Sequence, residues 1–108
     1  MKDNKLIAEF MGVKSYEASG YTNFVYSEDN HRTEVDLAYH DSWDWLMPVV
    51  EKIEGLRDEN GNAYRFTIDM CNAQIEEANI EILGGAFKID TTYKAVVEFI
   101  NHINKEKL

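Results

Sequence analysis

The chain has little cysteine, proline or positive charge. Cys71 is its only cysteine and Pro48 its only proline. A single thiol cannot form an internal disulfide, and no Cys/His spacing is typical of a structural zinc site. This cysteine usage fits a reducing compartment, so we expect a cytoplasmic protein. We also expect that it holds no metal and no other cofactor. The sequence also has no repeats, low-complexity tracts or linkers, which indicates one continuous domain over residues 1–108.

Long apolar runs are lacking as well. The apolar run near the N-terminus is short and is interrupted by Glu9, which argues against a signal peptide. No stretch approaches the roughly 20 apolar residues that a membrane-spanning helix needs. Hydrophobic residues nevertheless make up 44% of the chain, so we expect a packed core without disulfide or metal crosslinks.

Positive charge is scarce beside the negative charge. The chain has 11 Lys and Arg against 20 Asp and Glu, a net charge of -9. Between Glu28 and Glu81 there are fourteen acidic and four basic residues, so this stretch alone carries -10. Such a surface repels nucleic acid and anionic membranes, and it attracts basic protein surfaces. We therefore expect a basic protein partner, without direct binding to nucleic acid or membrane.

Apolar residues at spacings of three and four predict three helices. They are expected over residues 3–11, 43–54 and 91–105. Asp41 or Ser42 is a plausible cap for the second helix, and Asp90 or Thr91 for the third. Because proline inside a helix costs roughly 3 kcal/mol, we expect the second helix to begin near Trp45, with Pro48 in its first turn. The alternative is an initial turn over 42–46 and a kink before Pro48.

Alternating apolar and polar residues predict the strands. They are expected over residues 21–27, 32–40 and 64–71, with 73–77 as a continuation after a bulge or as a new strand. Turn residues at 27–31 predict a hairpin between the first two. Gly84-Gly85 predicts a second hairpin over 80–89, with Ile82 opposite Phe87 and Glu81 opposite Lys88. We predict an α+β fold: a single, mostly antiparallel sheet with three helices packed on one face. The other face of the sheet would carry acidic and polar side chains: Glu34, Asp36, His40, Asp69 and Glu81.

The densest polar cluster surrounds His40 and Asp41. Adjacent His, Asp and Ser residues do not form a catalytic triad, because triad members converge from separate elements. A metal site at His40 lacks a recognisable ligand spacing, and Cys71 lies in acidic surroundings that disfavour a thiolate. We therefore predict no catalytic residues, and we keep a small hydrolase using His40 as an alternative.

Protein binding is the function that the composition favours. Carboxylates would contact a basic surface of a larger protein, with aromatic side chains as anchors. The residues predicted for this contact are Asp36, Asp41, Asp44, Glu51, Glu54, Glu76, Glu77, Trp43 and Tyr26. We expect a monomer or a small homo-oligomer. The alternative is a protein that binds a small ligand such as a signalling nucleotide, whose phosphates would require a basic lining.

Three segments resemble an uncharacterised family of small bacterial and phage proteins. They are Ser42–Glu54 (SWDWLMPVVEKIE), Phe66–Cys71 (FTIDMC) and Asp90–Ile100 (DTTYKAVVEFI). The similarity extends over most of the chain, but it implies no known activity and no catalytic residues. The phage association implies that a member could inhibit a host defence protein, in the manner of anti-CRISPR proteins that mimic nucleic acid.

Overall fold

The structure is a computed structural model that describes residues 2–33, 36–69, 72–84 and 87–106. Within these residues the fold has three α-helices and two three-stranded antiparallel sheets. The elements are α1 (Lys2–Phe10), β1 (Lys14–Ala18), β2 (Tyr21–Ser27), β3 (Asn30–Thr33), α2 (Trp43–Gly55), β4 (Phe66–Asp69), β5 (Asn72–Ile75), β6 (Ile80–Ile82) and α3 (Lys88–Glu106). The α+β prediction is confirmed, and the prediction of a single sheet is wrong.

The first sheet has the strand order β1-β2-β3. Ser19 and Gly20 join β1 to β2 and both have positive φ angles, 56° and 80°, as a type I′ turn requires. The predicted hairpin after β2 is confirmed, since Ser27 lies opposite Asn30. Strand β1 was not predicted because all five of its residues are exposed, so the sequence shows no apolar alternation there.

The predicted strand over 32–40 is wrong. Strand β3 ends at Thr33, Asp36 lies in a 3₁₀ turn, and Tyr39 and His40 lie in a turn before α2. The alternation of apolar and polar residues did predict burial correctly, since Leu37 and Tyr39 are both in the core. The Leu37 carbonyl, however, accepts a hydrogen bond from a side chain of α1 rather than from a strand. The predicted acidic sheet face is therefore not formed by one sheet, and Glu34 lies outside the described residues.

The second sheet has the order β4-β5-β6, so the hairpin predicted over 80–89 is also wrong. Strand β6 pairs back with β5, where Ile80 lies opposite Ile75 and Glu81 opposite Gln74. A short 3₁₀ helix, Glu76–Ala78, makes the connection. Phe87 and Lys88 cannot pair with β6, because α3 begins at Lys88. Gly85, in the predicted turn, lies outside the described residues.

Helix α2 begins at Trp43, which makes Pro48 its sixth residue. The expected start near Trp45 is therefore wrong. Pro48 and Asp44 are both exposed, so water can bond to the Asp44 carbonyl that lacks a helical N–H partner. Ser42 is at the N-cap position without a side-chain cap bond, and its carbonyl accepts the Leu46 N–H at 3.0 Å.

The C-terminal end of α1 and the N-terminal end of α3 are each marked by specific hydrogen bonds. The predicted first helix is confirmed, and α1 is followed by Gly12 at φ +76°, where the Val13 N–H returns to the Ala8 carbonyl at 3.1 Å. Asp90 and Thr91 are not caps of α3, because both lie within its first turns. The Thr91 Oγ1 donates instead to the Lys88 carbonyl at 2.9 Å.

The core lies between the three helices, the second sheet and one side of the first. Helix α3 contacts α1, α2 and all three strands of the second sheet. Its buried Phe99 packs edge-on against Tyr64 at 4.8 Å and Phe10 at 6.4 Å between ring centroids. The fully buried aliphatic side chains around it include Ile7, Leu46, Val49, Ile53, Ile75 and Ile100. None of the helices in the described segments combines the length and apolar character that crossing a membrane requires.

Candidate functional site

One face of α2 is buried and the opposite face is acidic. Leu46, Val49, Val50 and Ile53 are the buried residues of this helix. Asp44, Met47, Glu51 and Glu54 are exposed and recur at spacings of three, four and three. At 3.6 residues per turn, these spacings place them along one stripe, with Trp43 at its N-terminal end. We call this stripe of Trp43, Asp44, Met47, Glu51 and Glu54 the acidic α2 face.

Two large apolar side chains lie within the acidic α2 face. Trp43 is 37% exposed and Met47 is 36% exposed. Tryptophan and methionine are both enriched at protein interfaces, where they fill pockets of the partner. The sequence prediction named Trp43 but missed Met47. The spacing of Met47 from Asp44 and Glu51 could have identified it, because three and four residues separate neighbours on one helix face.

The nearby cations are directed away from the acidic α2 face. The Lys52 Nζ donates to the Phe10 carbonyl and lies 4.6 Å from the centroid of the Phe10 ring. The Arg57 Nη1 donates to the Glu54 and Leu56 carbonyls at 3.2 and 2.9 Å. Within the part of the chain that the structure describes, Asp44, Glu51 and Glu54 form no ion pair with Lys or Arg. Their negative charge is therefore not neutralised by direct contact.

The other predicted carboxylates lie on different elements. Asp41 is in the turn before α2, with its Oδ2 3.5 Å from the His40 Nε2. Asp36 is exposed and accepts from the Thr33 Oγ1 at 3.1 Å. Glu76 and Glu77 are exposed on the short 3₁₀ helix after β5. The structure thus places Trp43, Asp44, Glu51 and Glu54 on one helix face, whereas Asp36, Glu76 and Glu77 belong to other elements.

Tyr26 takes part in an internal aromatic cluster. Its hydroxyl lies 3.0 Å from that of Tyr39, and both rings meet Trp45 edge-on at 5.3 and 5.2 Å. The Arg32 guanidinium lies 5.2 Å from the Trp45 ring centroid. Burial raises the pKa of both Tyr26 and Tyr39. These contacts join the first sheet to the start of α2, on the side of the helix that carries Trp45. The Tyr26 side chain nevertheless remains partly exposed.

His40 belongs to a polar network centred on the fully buried Asn4. The Asn4 Nδ2 donates to the Leu37 carbonyl at 3.0 Å and lies 2.9 Å from the His40 Nδ1. The Tyr93 hydroxyl donates to the Asn4 Oδ1 at 2.9 Å, so the whole amide is bonded. A carbonyl can only accept, which fixes the orientation of the amide and makes His40 Nδ1 an acceptor.

This network limits the chemistry that His40 can perform. With Nδ1 accepting from Asn4, the neutral ring carries its proton on Nε2, next to the Asp41 carboxylate. No ring nitrogen is then free to take a proton from a nucleophile. Cys71, the other candidate, lies outside the described residues. Among the residues described, no three His, Cys, Asp or Glu side chains are grouped closely enough to hold a metal ion.

Comparisons of the chain with protein-family models, with curated proteins and with solved structures give no match.

Proposed function

We propose that this chain is a non-enzymatic, acidic protein-interaction domain that binds a basic surface of a larger protein through the acidic α2 face. One observation carries the proposal: three carboxylates, with no Lys or Arg partner among the described residues, share an exposed helix face with Trp43 and Met47. A purely solvated helix face has no need of two large apolar side chains. Carboxylates that steer a basic partner, beside apolar anchors that become buried, are the usual components of a charged protein interface.

The spacing of the carboxylates supports mimicry of nucleic acid. Asp44 and Glu54 are ten residues apart, which is about 15 Å along a helix. A single DNA strand carries one phosphate per ~3.4 Å, so it has about four charges over that length. The acidic α2 face has three. A groove lined with Lys and Arg that normally follows a phosphate backbone would therefore meet a similar density of negative charge on α2.

The biological role we propose is inhibition of a nucleic-acid-binding defence protein of the host, by a phage-derived protein acting in the cytoplasm. Occupying the nucleic-acid groove of a nuclease or CRISPR effector would require no catalysis. Asp36, Asp41, Glu76 and Glu77 would add negative potential around the central contact and would mainly raise the association rate. The net charge of -9 supports this role, because it favours encounter with a basic protein and disfavours binding to nucleic acid itself.

The test compares two charge-matched triple variants. The first, Asp44→Asn with Glu51→Gln and Glu54→Gln, neutralises the acidic α2 face. The second, Asp29→Asn with Glu28→Gln and Glu98→Gln, neutralises three exposed residues elsewhere. Both remove one Asp and two Glu charges, and none of the six side chains is in the core, so both variants should remain folded.

The three proteins are used to capture partners from host lysate at about 50 mM and about 500 mM salt, where screening lengths differ several-fold. We expect the wild type and the control triple to retain the same basic protein at low salt only. The α2 triple should lose it. With the purified partner, the plot of log affinity against log salt should become shallower by up to about three for the α2 triple, one unit per lost charge. Equal affinity and equal salt dependence for the α2 triple and the wild type would refute the proposed contact surface.

A further inference from the structure

The carboxyl-terminal ends of α1, α2 and α3 border one groove. Helix α1 ends at Phe10, α2 ends at Gly55 next to Leu56, and the last turns of α3 contribute Ile103. Tyr64, in the segment between α2 and β4, closes another side. The cavity has a volume of about 630 Å³, within the range of small-molecule sites in proteins. We call it the helix-end groove.

The floor of the helix-end groove is apolar. It is lined by Leu6, Phe10, Leu56, Tyr64, Ile100 and Ile103. These side chains belong to the core or pack against it, so the floor is continuous with the interior of the protein. An apolar group that entered the groove would gain about 25 cal/mol for each Å² of apolar surface removed from water.

The ionisable side chains that line the groove carry a net negative charge, because Glu9, Asp58 and Glu59 outnumber Lys52 and Arg57. The C-terminal end of each helix carries the negative pole of its dipole, and three such ends meet here. Two of them already attract cations of the chain, since Lys52 donates to the carbonyl of Phe10 and Arg57 to those of Glu54 and Leu56. The rim of the groove includes the carboxylates of Glu9 and Glu59.

These two carboxylates are available to a ligand. Asp58, also on the rim, is engaged in its own loop, where its Oδ1 accepts the N–H groups of Asn60 and Asn62 at 2.9 and 2.8 Å. Glu9 and Glu59 are exposed, and their carboxylates have no hydrogen bond or ion pair with any other described residue. Among the described residues, Lys52 and Arg57 are thus held by backbone carbonyls, whereas the carboxylates of Glu9 and Glu59 have no partner.

We propose that the helix-end groove binds a small organic cation with an apolar body, such as an aliphatic or aromatic amine. The apolar body lies on the floor between Leu6, Phe10 and Ile103. The ammonium group points to Glu9 and Glu59. An anionic ligand of the same length is disfavoured, because three carboxylates line the groove against two cations, Lys52 and Arg57, which already bond backbone carbonyls. The site is separate from the acidic α2 face and does not depend on the function proposed for that face.

The test uses three probes of equal chain length: octylammonium, octanol and octanoate, each below the concentration at which it self-associates. Binding is followed by NMR on the full chain with labelled methyl groups and aromatic rings. We expect octylammonium to bind saturably and to shift the resonances of Leu6, Phe10, Tyr64 and Ile103. Octanol should bind more weakly and octanoate most weakly. Octanoate binding as tightly as octylammonium would overturn the proposal, as would shifts spread evenly over the acidic surface.

A pair of double variants separates the groove from general attraction to an acidic protein. Glu9→Gln with Glu59→Gln should weaken octylammonium binding by roughly tenfold, from about threefold for each exposed ion pair. Octanol binding should be unchanged. The control Glu28→Gln with Glu98→Gln removes the same charge from residues outside the groove and should change the affinity by less than about twofold. An equal loss in both double variants would show that the amine responds to net charge alone, and it would overturn the site.

Discussion

Replacing Asn4 by alanine tests the polar network that joins α1 to the core. The Asn4 side chain is fully buried and bonds the Leu37 carbonyl, the Tyr93 hydroxyl and the His40 Nδ1. In Asn4→Ala the first two groups lose a partner in positions where water is scarce, since Leu37 is 1% and Tyr93 5% exposed. His40 is half-buried, so its ring can bond to water instead.

The expected loss of stability follows from these two buried groups. Leaving a buried donor or acceptor without a partner costs about 1–3 kcal/mol. Two such groups give a loss of about 2–6 kcal/mol in the free energy of unfolding, a large share of the 5–15 kcal/mol typical of domains. For a chain of this length each kcal/mol corresponds to roughly 4 °C in Tm. Asn4→Ala should therefore lower Tm by about 10 °C or more.

The assay is urea unfolding followed by tryptophan fluorescence and circular dichroism, with Asn101→Ala as the matched control. Asn101 is exposed on α3, so the same substitution there should change stability by no more than about 0.5 kcal/mol. A double-mutant cycle of Asn4→Ala with Tyr93→Phe should show a coupling of about 1 kcal/mol, because each single change breaks the same bond. The reasoning is refuted if Asn4→Ala and Asn101→Ala unfold at the same urea concentration, or if the cycle shows no coupling.

Three further predictions concern stability. Burial raises the pKa of Tyr39 and Tyr93 above the ordinary value near 10, so these residues ionise first in the unfolded chain. Their contribution to stability should therefore be constant below about pH 10, and stability should fall above that pH in a circular dichroism titration. Gly20→Ala should lower the free energy of unfolding in urea by about 1 kcal/mol, because Gly20 has φ +80°. Gly55 lies at a helix end with an ordinary φ and open space around it, so Gly55→Ala should be neutral or stabilising by up to about 1 kcal/mol. Pro48→Ala should stabilise the chain by about 1–3 kcal/mol and raise Tm, because it restores a hydrogen bond within α2. An unchanged Tm would mean that the Asp44 carbonyl is already well bonded to water.

The helices could be predicted because their apolar periodicity reports burial against a core. The same periodicity does not set the limits of α2 and α3, since Pro48 lies inside α2 and α3 begins at Lys88. The residues that precede Thr91 extend α3, and the sequence alone could not show that a helix rather than a strand follows Gly84. Within the first turns of α3, the Thr91 and Thr92 hydroxyls both bond the Lys88 carbonyl.

The strand pairing could not be predicted, because alternation indicates burial and not the partner. Leu37 and Tyr39 alternate as in a strand, but they enter the core from a loop that is held by Asn4. The alternation over 80–82 is real, yet β6 pairs with the preceding β5 instead of a following strand. Strand β1 is fully exposed, so only the Ser19-Gly20 turn dipeptide could have indicated it.

The candidate functional site, like the fold, could be predicted from the sequence only in part. The helical spacing of Asp44, Glu51 and Glu54 could be read from the sequence once α2 was placed. The position of Tyr26 could not, because an aromatic residue near a strand end fits a core and an interface equally well. Its contact with Tyr39 depends on how the first sheet meets α2, which is a tertiary feature.

The exposed β1 strand has a consequence for how the molecule opens. Because none of its five side chains is buried, separating β1 from β2 breaks ladder hydrogen bonds and a few exposed side-chain contacts, those of Tyr16 with His31 and of Glu17 with Thr22. Local opening there needs far less free energy than global unfolding, so its amide hydrogens should exchange with solvent well before those of α3. The same tolerance makes the tip at Ser19-Gly20 a suitable place to insert a fluorophore or an affinity tag, away from both α2 and the groove.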